Sequence, residues 1–169
     1  MKRIIFISIL FALIANVSYG QTSIPKAQAN FIYNFTKFFD WPQSEKTGEF
    51  VIGVYGSREI ATELEKVTRG KKNVTQDIVV KYFSNFNQIT KCHVIFVSET
   101  NASKIDEIHT QTGVHCLIIS DSYYAIKNGA IIQFIIESER LKYEFSKTNA
   151  LKHGLKFHSK VAEMASETY

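Results

Sequence analysis

From position 49 onward the chain alternates between short runs that are apolar at every position and longer polar stretches in which an apolar residue recurs every third or fourth place. The runs EFVIGVYG (49–56), DIVVKYFS (77–84), CHVIFVS (92–98), HCLIISD (115–121) and AIIQFIIE (130–137) are rich in Val, Ile and Phe. Strands covered on both sides have this character. Between them, Ser57 can cap a helix whose Ile60, Leu64 and Val67 share a face and which stops at Gly70. Asn101 likewise opens a segment with Ile105 and Ile108 that stops at Gly113. The rhythm of strand, helix, strand, strand, helix, strand predicts an α/β fold: three layers, a mostly parallel sheet flanked by helices. The ending departs from it. In ERLKYEFS, Leu141, Tyr143 and Phe145 alternate with charged residues, and only a few polar residues near Ser138 precede it. This predicts a C-terminal antiparallel hairpin, followed by a last helix starting near Ser159 whose Val161, Met164 and Ala165 dock on the body.

The amino-terminal side carries an aromatic stripe. In FIYNFTKFFDWP (31–42), Phe31, Phe35, Phe38 and Phe39 fall at i, i+4, i+7 and i+8, which places four rings on one face of a helix running to Trp41. Pro42 cannot continue that helix, so the indole is expected at its exit. Phe35, Phe38, Trp41 and Pro42 are thus read as structural residues. No repeat, low-complexity tract or linker interrupts residues 21–169, which read as one domain.

Ahead of the stripe, Lys2 and Arg3 precede the apolar run IIFISILFALIANV, and Ser18-Tyr19-Gly20 offers small residues at the positions an export peptidase inspects. Residues 1–20 are therefore expected to be a cleaved signal peptide, and the mature chain to be exported to the periplasm. Loss of Lys2 and Arg3 leaves 18 basic residues against 16 acidic ones, a net charge of +2. A nearly neutral chain without a basic run argues against nucleic acid as a partner. Its 13 Phe, 8 Tyr and 1 Trp supply bulky material for a core, and no later apolar stretch reaches membrane-spanning length.

Catalytic signals are sparse. Gly53-Val54-Tyr55-Gly56-Ser57 sits where a strand passes into a helix, a place where backbone amides can hold an anion, so Gly56 and Ser57 are candidate ligand-binding residues. The phrase lacks the third glycine of a dinucleotide fingerprint and the Gly-Lys-Ser/Thr ending of a phosphate loop. No Gly-x-Ser-x-Gly elbow or His-Glu-x-x-His helix occurs, so neither catalytic residues nor a metal or other cofactor are expected. Asp106-Glu107 with His109 reads as a solvated helix face, and His153 and His158 as surface or interface residues. Cys92-His93 and His115-Cys116 open two consecutive strands. Alignment of those strands at Ser98 and Ser120 puts the sulfurs on one face but two residues out of step. A disulfide between Cys92 and Cys116 and a pair of buried thiols both stay open. The Asn-x-Ser/Thr triplets at Asn34, Asn73 and Asn101 read as chance matches.

The blocks FTKFFDWP (35–42), FVIGVYG (50–56), CHVIFVS (92–98), KNGAIIQF (127–134), ERLKYEF (139–145) and ALKHGLKFHSKVAEMA (150–165) resemble, in order and spacing, the successive blocks of the YfiR family of periplasmic regulators. The resemblance covers nearly all of the mature chain. It implies a non-enzymatic protein that binds the periplasmic sensor region of an inner-membrane partner, typically a diguanylate cyclase, and represses it until a signal arrives. It also implies, in some relatives, a cysteine at the position of Gly53 that pairs with the one matched by Cys92; the glycine here removes that bond. Exposed apolar residues of the hairpin and the C-terminal segment are the expected contact surface, and self-association as a homodimer is left open. Arg140, at the hairpin corner, is the charged residue placed to hold a partner carboxylate or a small anion. The rival expectation is a periplasmic small-molecule sensor or carrier, with ligand near Gly56, Ser57, Ser98 and Ser120 at the strand ends.

Overall fold

The computed structural model describes residues 23–169, and the leader expected at 1–20 lies outside the described residues. Helix α1 (Ile24–Phe35) leads to β1 (Phe39–Asp40), a short 3-10 turn (Gln43–Glu45) and β2 (Phe50–Tyr55). Next come α2 (Arg58–Thr68), β3 (Lys72–Asn73), β4 (Gln76–Phe83) and β5 (Val94–Val97). A 3-10 stretch (Glu99–Glu107) runs into α3 (His109–Thr112), then β6 (Leu117–Ser120), β7 (Ile132–Glu137) and β8 (Arg140–Phe145). The chain closes with α4 (Lys147–Lys152), β9 (Lys156–Phe157), α5 (Lys160–Glu163) and β10 (Glu167–Thr168).

Eight strands form one sheet in the order β10-β8-β7-β6-β5-β2-β4-β3. The five inner strands β4, β2, β5, β6 and β7 are mutually parallel, with β8 antiparallel to β7. The expected three-layer α/β architecture and its hairpin are thus present. Alternation along the strands divides the core in two. On one face, Phe50, Val54, Phe96 and Phe134 pack with Ile32 and Phe35 of α1 and Ile60 and Leu64 of α2. On the other, Ile95, Ile118, Cys92 and Cys116 meet Ala102, Ile105 and Ile108. Ser57 caps α2 as expected, accepting the Ile60 N–H at 3.3 Å.

Three local expectations are corrected. The helix carrying the aromatic stripe ends at Phe35, and residues 36–38 continue as tight turns that bond three residues back. Phe39 and Asp40 leave the helix because they find strand partners in Phe157 and Lys156. The rings consequently split. Phe31 and Phe35 pack on Phe134 and Tyr143, whereas Phe39 packs on Trp41, Phe145 and Phe157. The segment from Asn101 to Gly113 is mostly a 3-10 helix. Its buried Ala102, Ile105 and Ile108 recur at intervals of three, the period of that helix and not of the α form. Finally, β5 and β6 align Val97 with Ser120, one residue from the alignment expected on Ser98.

The start of the parallel strands is held by a polar knot inside the apolar edge. Trp41, buried at the end of the aromatic segment, donates its indole N–H to the carbonyls of both His93 (3.2 Å) and His115 (3.0 Å). The His93 ring stacks on Phe50 at 4.5 Å, accepts the Val51 N–H at Nδ1 (3.0 Å) and donates from Nε2 to the Glu45 carbonyl (2.9 Å). That same carbonyl accepts from the Gln76 amide at 3.1 Å. The Trp41→Phe variant removes the N–H together with part of the buried ring. It is expected to lose about 1–3 kcal/mol of stability in urea unfolding, from the missing volume and the lost bond to the His115 carbonyl, the His93 carbonyl keeping the Leu117 N–H.

Candidate interaction surface

The two inner strands where the order reverses, β2 and β5, meet at the crevice in which open α/β sheets ordinarily bind ligands. Gly56, Ser57, Ser98 and Ser120 lie along this edge. Gly56 has φ +87 and its N–H bonds the Phe83 carbonyl, so the turn needs a residue without a side chain. The crevice is filled from within. A Cβ on Gly56 would stand 2.0 Å from Asn101 Nδ2 and 2.3 Å from Ser98 Oγ. Asn101 donates to Ser98 Oγ at 2.9 Å, Ser98 Oγ lies 3.0 Å from the Thr100 hydroxyl, and Ser57 is spent on capping α2. Ser120 is wholly buried and accepts the Ser122 N–H.

The cysteines are equally withdrawn. Cys92 and Cys116 are free thiols, so the disulfide weighed for them is not formed. Cys92 precedes the first residue of β5, and its thiol turns to the Thr90 carbonyl at 3.1 Å. Burial pushes the Cys92 thiol up to about 12 and the Cys116 thiol well above its ordinary range. Thiols held protonated in this way are poor nucleophiles. Among the described residues no group of three or more His, Cys, Asp or Glu is placed to hold a metal ion.

What the molecule does present is the β7–β8 hairpin. Its two turn residues, Ser138 and Glu139, both have left-handed backbones (φ 49 and 61), the requirement of the tight turn that matches strand twist. Glu137 and Arg140 close the turn in register, and the Lys142 ammonium binds the Glu137 carboxylate. Arg140 is exposed and makes no ion pair with the other described residues. On one hairpin face Phe134 enters the core while Ile136, two positions on, is 58% exposed. Leu141 stands opposite Ile136. These two residues continue the core stripe past the first turn of α1.

Between that turn and the hairpin lies a cavity of about 500 Å³. Ile24, Phe134, Ile136, Leu141 and the exposed ring of Tyr123 supply its apolar wall. Glu99, Asp121, Glu137 and Glu144 add carboxylates and no lysine or arginine lines it. Burial pushes the Asp121 carboxyl above the ordinary range, although the Glu99 N–H donates to it at 2.7 Å. Apolar contact inside a ring of carboxylates suits an apolar segment flanked by basic side chains. Sequence reasoning singled out the hairpin and Arg140, and missed Ile24, Asp121 and Tyr123. The adjacent Tyr123 and Tyr124, aromatic in a polar loop outside any periodic segment, were the available signal. Of the residues read as structural, Phe35 and Trp41 are buried, Phe38 and Pro42 half-buried. The His115 ring bonds the His153 carbonyl, the His153 ring bonds the Val114 carbonyl, and His158 is exposed.

The chain is thus a doubly wound α/β protein with its crevice filled from within, its thiols buried and an open hairpin beside an acidic apolar cavity. The family is specific: residues 25–166 match the YfiR/HmsC-like family, and the chain belongs to it. This is a regulatory family, periplasmic, of proteins that act on membrane diguanylate cyclases. Among solved structures, a conserved domain protein from Vibrio cholerae O1 biovar eltor str. N16961 is similar in fold, with a TM-score of 0.56 and 14% identity over 87% of this chain. The chain spans 60% of that protein's length. No curated protein matches the chain. No helix among the described residues is long and apolar enough to cross a membrane.

Two outcomes follow from this geometry. A Cβ on Gly53 would lie 2.8 Å from Cys92 Sγ. That is too close for free contact, yet near the ~3.0 Å between a Cβ and the far sulfur of a disulfide whose S–S bond is about 2.04 Å. Gly53→Cys is therefore expected to form a disulfide with Cys92, seen as the loss of two thiols in mass spectrometry after alkylation without reductant. Ser138→Asn combined with Glu139→Gly, residues suited to the left-handed turn, should raise stability by about 1–2 kcal/mol in the same unfolding assay.

Proposed function

We propose that the chain is exported by its leader, matures as residues 21–169, and represses the periplasmic sensor region of an inner-membrane diguanylate cyclase by direct contact. The contact runs through the hairpin and the adjoining cavity. The observation that carries this reading is the continuation of the core stripe through half-buried Leu141 into open surface at Ile136, beside four carboxylates and the unpaired Arg140. A regulator needs no chemistry to act. Preferring one of two partner states by about 1.4 kcal/mol shifts their ratio tenfold. The partner segment suited to this surface is apolar with basic neighbours. The small-molecule sensor reading loses its support where Asn101 and Ser98 fill the crevice over Gly56.

The test is cyclic-di-GMP measured in cells lacking the protein and in cells complemented with it, together with in-cell crosslinking of the tagged mature chain. Loss of the protein should raise the dinucleotide. Ile136→Lys, which puts a like charge against the partner's basic side chains, should lose at least about tenfold in partner affinity and fail to restore repression, while melting at the wild-type temperature. Unchanged dinucleotide levels and no crosslinked membrane protein would end this reading.

A further inference from the structure

We infer that His93 is an acid-sensitive latch: when its imidazole takes a second proton, the knot at the start of the parallel strands loses its tie to the Val51 N–H. The hydrogen bonds fix the tautomer. The Val51 N–H can only donate and the Glu45 carbonyl can only accept, so Nδ1 carries the lone pair and Nε2 the proton. The one place left for another proton is Nδ1, where a backbone N–H already points. Protonation therefore sets two donors face to face and breaks the bond to Val51.

The surroundings offer the imidazolium one bond, from Nε2 to the Glu45 carbonyl, and little else. Phe50 stacks on one side at 4.5 Å and Trp41 meets the ring edge-on at 6.3 Å; neither titrates. From the 3-10 turn the Glu45 carboxylate faces the ring, and from the segment before β5 so does Lys91. These two pair with each other at 2.7 Å, so their effects on His93 oppose one another. The Cys92 thiol belongs to the opposite face of the sheet. Burial is the first cause pushing the His93 pKa below its ordinary 6.5.

The other histidines lack this vulnerability. His115 donates from Nδ1 to the His153 carbonyl (3.1 Å), and His153 donates from Nδ1 to the Val114 carbonyl (2.8 Å). Both bonds survive protonation. His158 accepts the Lys160 N–H but is exposed, where water replaces the lost bond. Among the described residues His93 is the one buried histidine. Loss of its Nδ1 bond frees the Val51 N–H, on the strand that carries Phe50, while the Nε2–H stays on the Glu45 carbonyl that also holds Gln76. Phe50 and Trp41, which the ring touches, line a neighbouring cleft of about 610 Å³, so the latch lies behind one wall of it. A family that works in the periplasm meets the pH of the outside medium more directly than a cytoplasmic one does.

The sign follows from the depressed pKa. The latch contributes its full stability above the unfolded value of 6.5 and loses it as the pH falls through the lower folded value. Nitrogen-15 spectra of the ring should show the Nε2–H tautomer and a midpoint below 6.5. Amide protection at Val51 should fall about tenfold for each pKa unit by which His93 is held down. His93→Gln supplies an acceptor and a donor that no proton alters. Its Val51 protection should be flat across the same range, and the wild-type minus variant difference in Tm should vanish with acid. An Nδ1–H tautomer, a midpoint at or above 6.5, or the same acid loss at Val51 in His93→Gln would overturn the latch. If that variant does not fold, the wild-type ring spectra alone decide.

Discussion

Two aromatic heterocycles hold together parts of the chain that have no covalent reason to meet. The Trp41 indole reaches carbonyls 52 and 74 residues away, and the His93 ring spans from Val51 to the Glu45 turn. In an apolar setting each of these bonds counts for more than it would in water, and each orphaned partner costs more. The arrangement is fully paired, in keeping with the absence of buried unsatisfied side-chain atoms among the described residues. The aromatic stripe, the first strand pair and the starts of β2, β5 and β6 all take their positions from it. A chain that ends its first helix at Phe35 needs some such anchor, because Phe39 and Trp41 must then find burial without a helix to carry them.

From that anchored end the parallel strands run to an opposite edge where a ligand would be expected, and there the protein closes on itself. Asn101 comes off the 3-10 stretch and lies against Gly56, with Ser98 and Thr100 completing a polar lid made wholly of local side chains. The hydrophobic stripe left over emerges elsewhere, on a hairpin that projects beyond the covering helix. Regulation by contact is consistent with such a division: rigid layers on one side, an unshielded apolar margin with mixed charge on the other.

Much of this was legible in the sequence because the inner strands are apolar at every position and the hairpin alternates strictly. Ser57 and Gly70 bounded α2 correctly for the same local reasons that cap helices in peptides. The misses have tertiary causes. Nothing within residues 31–42 reveals that Phe39 will pair with Phe157, so four rings at helical spacing looked like one face. The interval of three in Ala102, Ile105 and Ile108 was present but was read with the commoner period. The offset between β5 and β6 depends on how the two strands settle beside each other, which no single strand encodes. The hairpin was visible as surface, while Asp121 and Tyr123 join it only through the sheet, from a loop twelve or more residues upstream of its tip.

The plug over Gly56 also bears on how such a scaffold changes over time. Asn101 is a partly exposed side chain whose bonds run to Ser98 and Thr100, neighbours that a loop can rearrange around. A smaller residue there would uncover a hollow framed by backbone amides at the mouth of α2, and a descendant of this chain could acquire a metabolite sensor by erosion of one amide, with its partner-facing margin untouched.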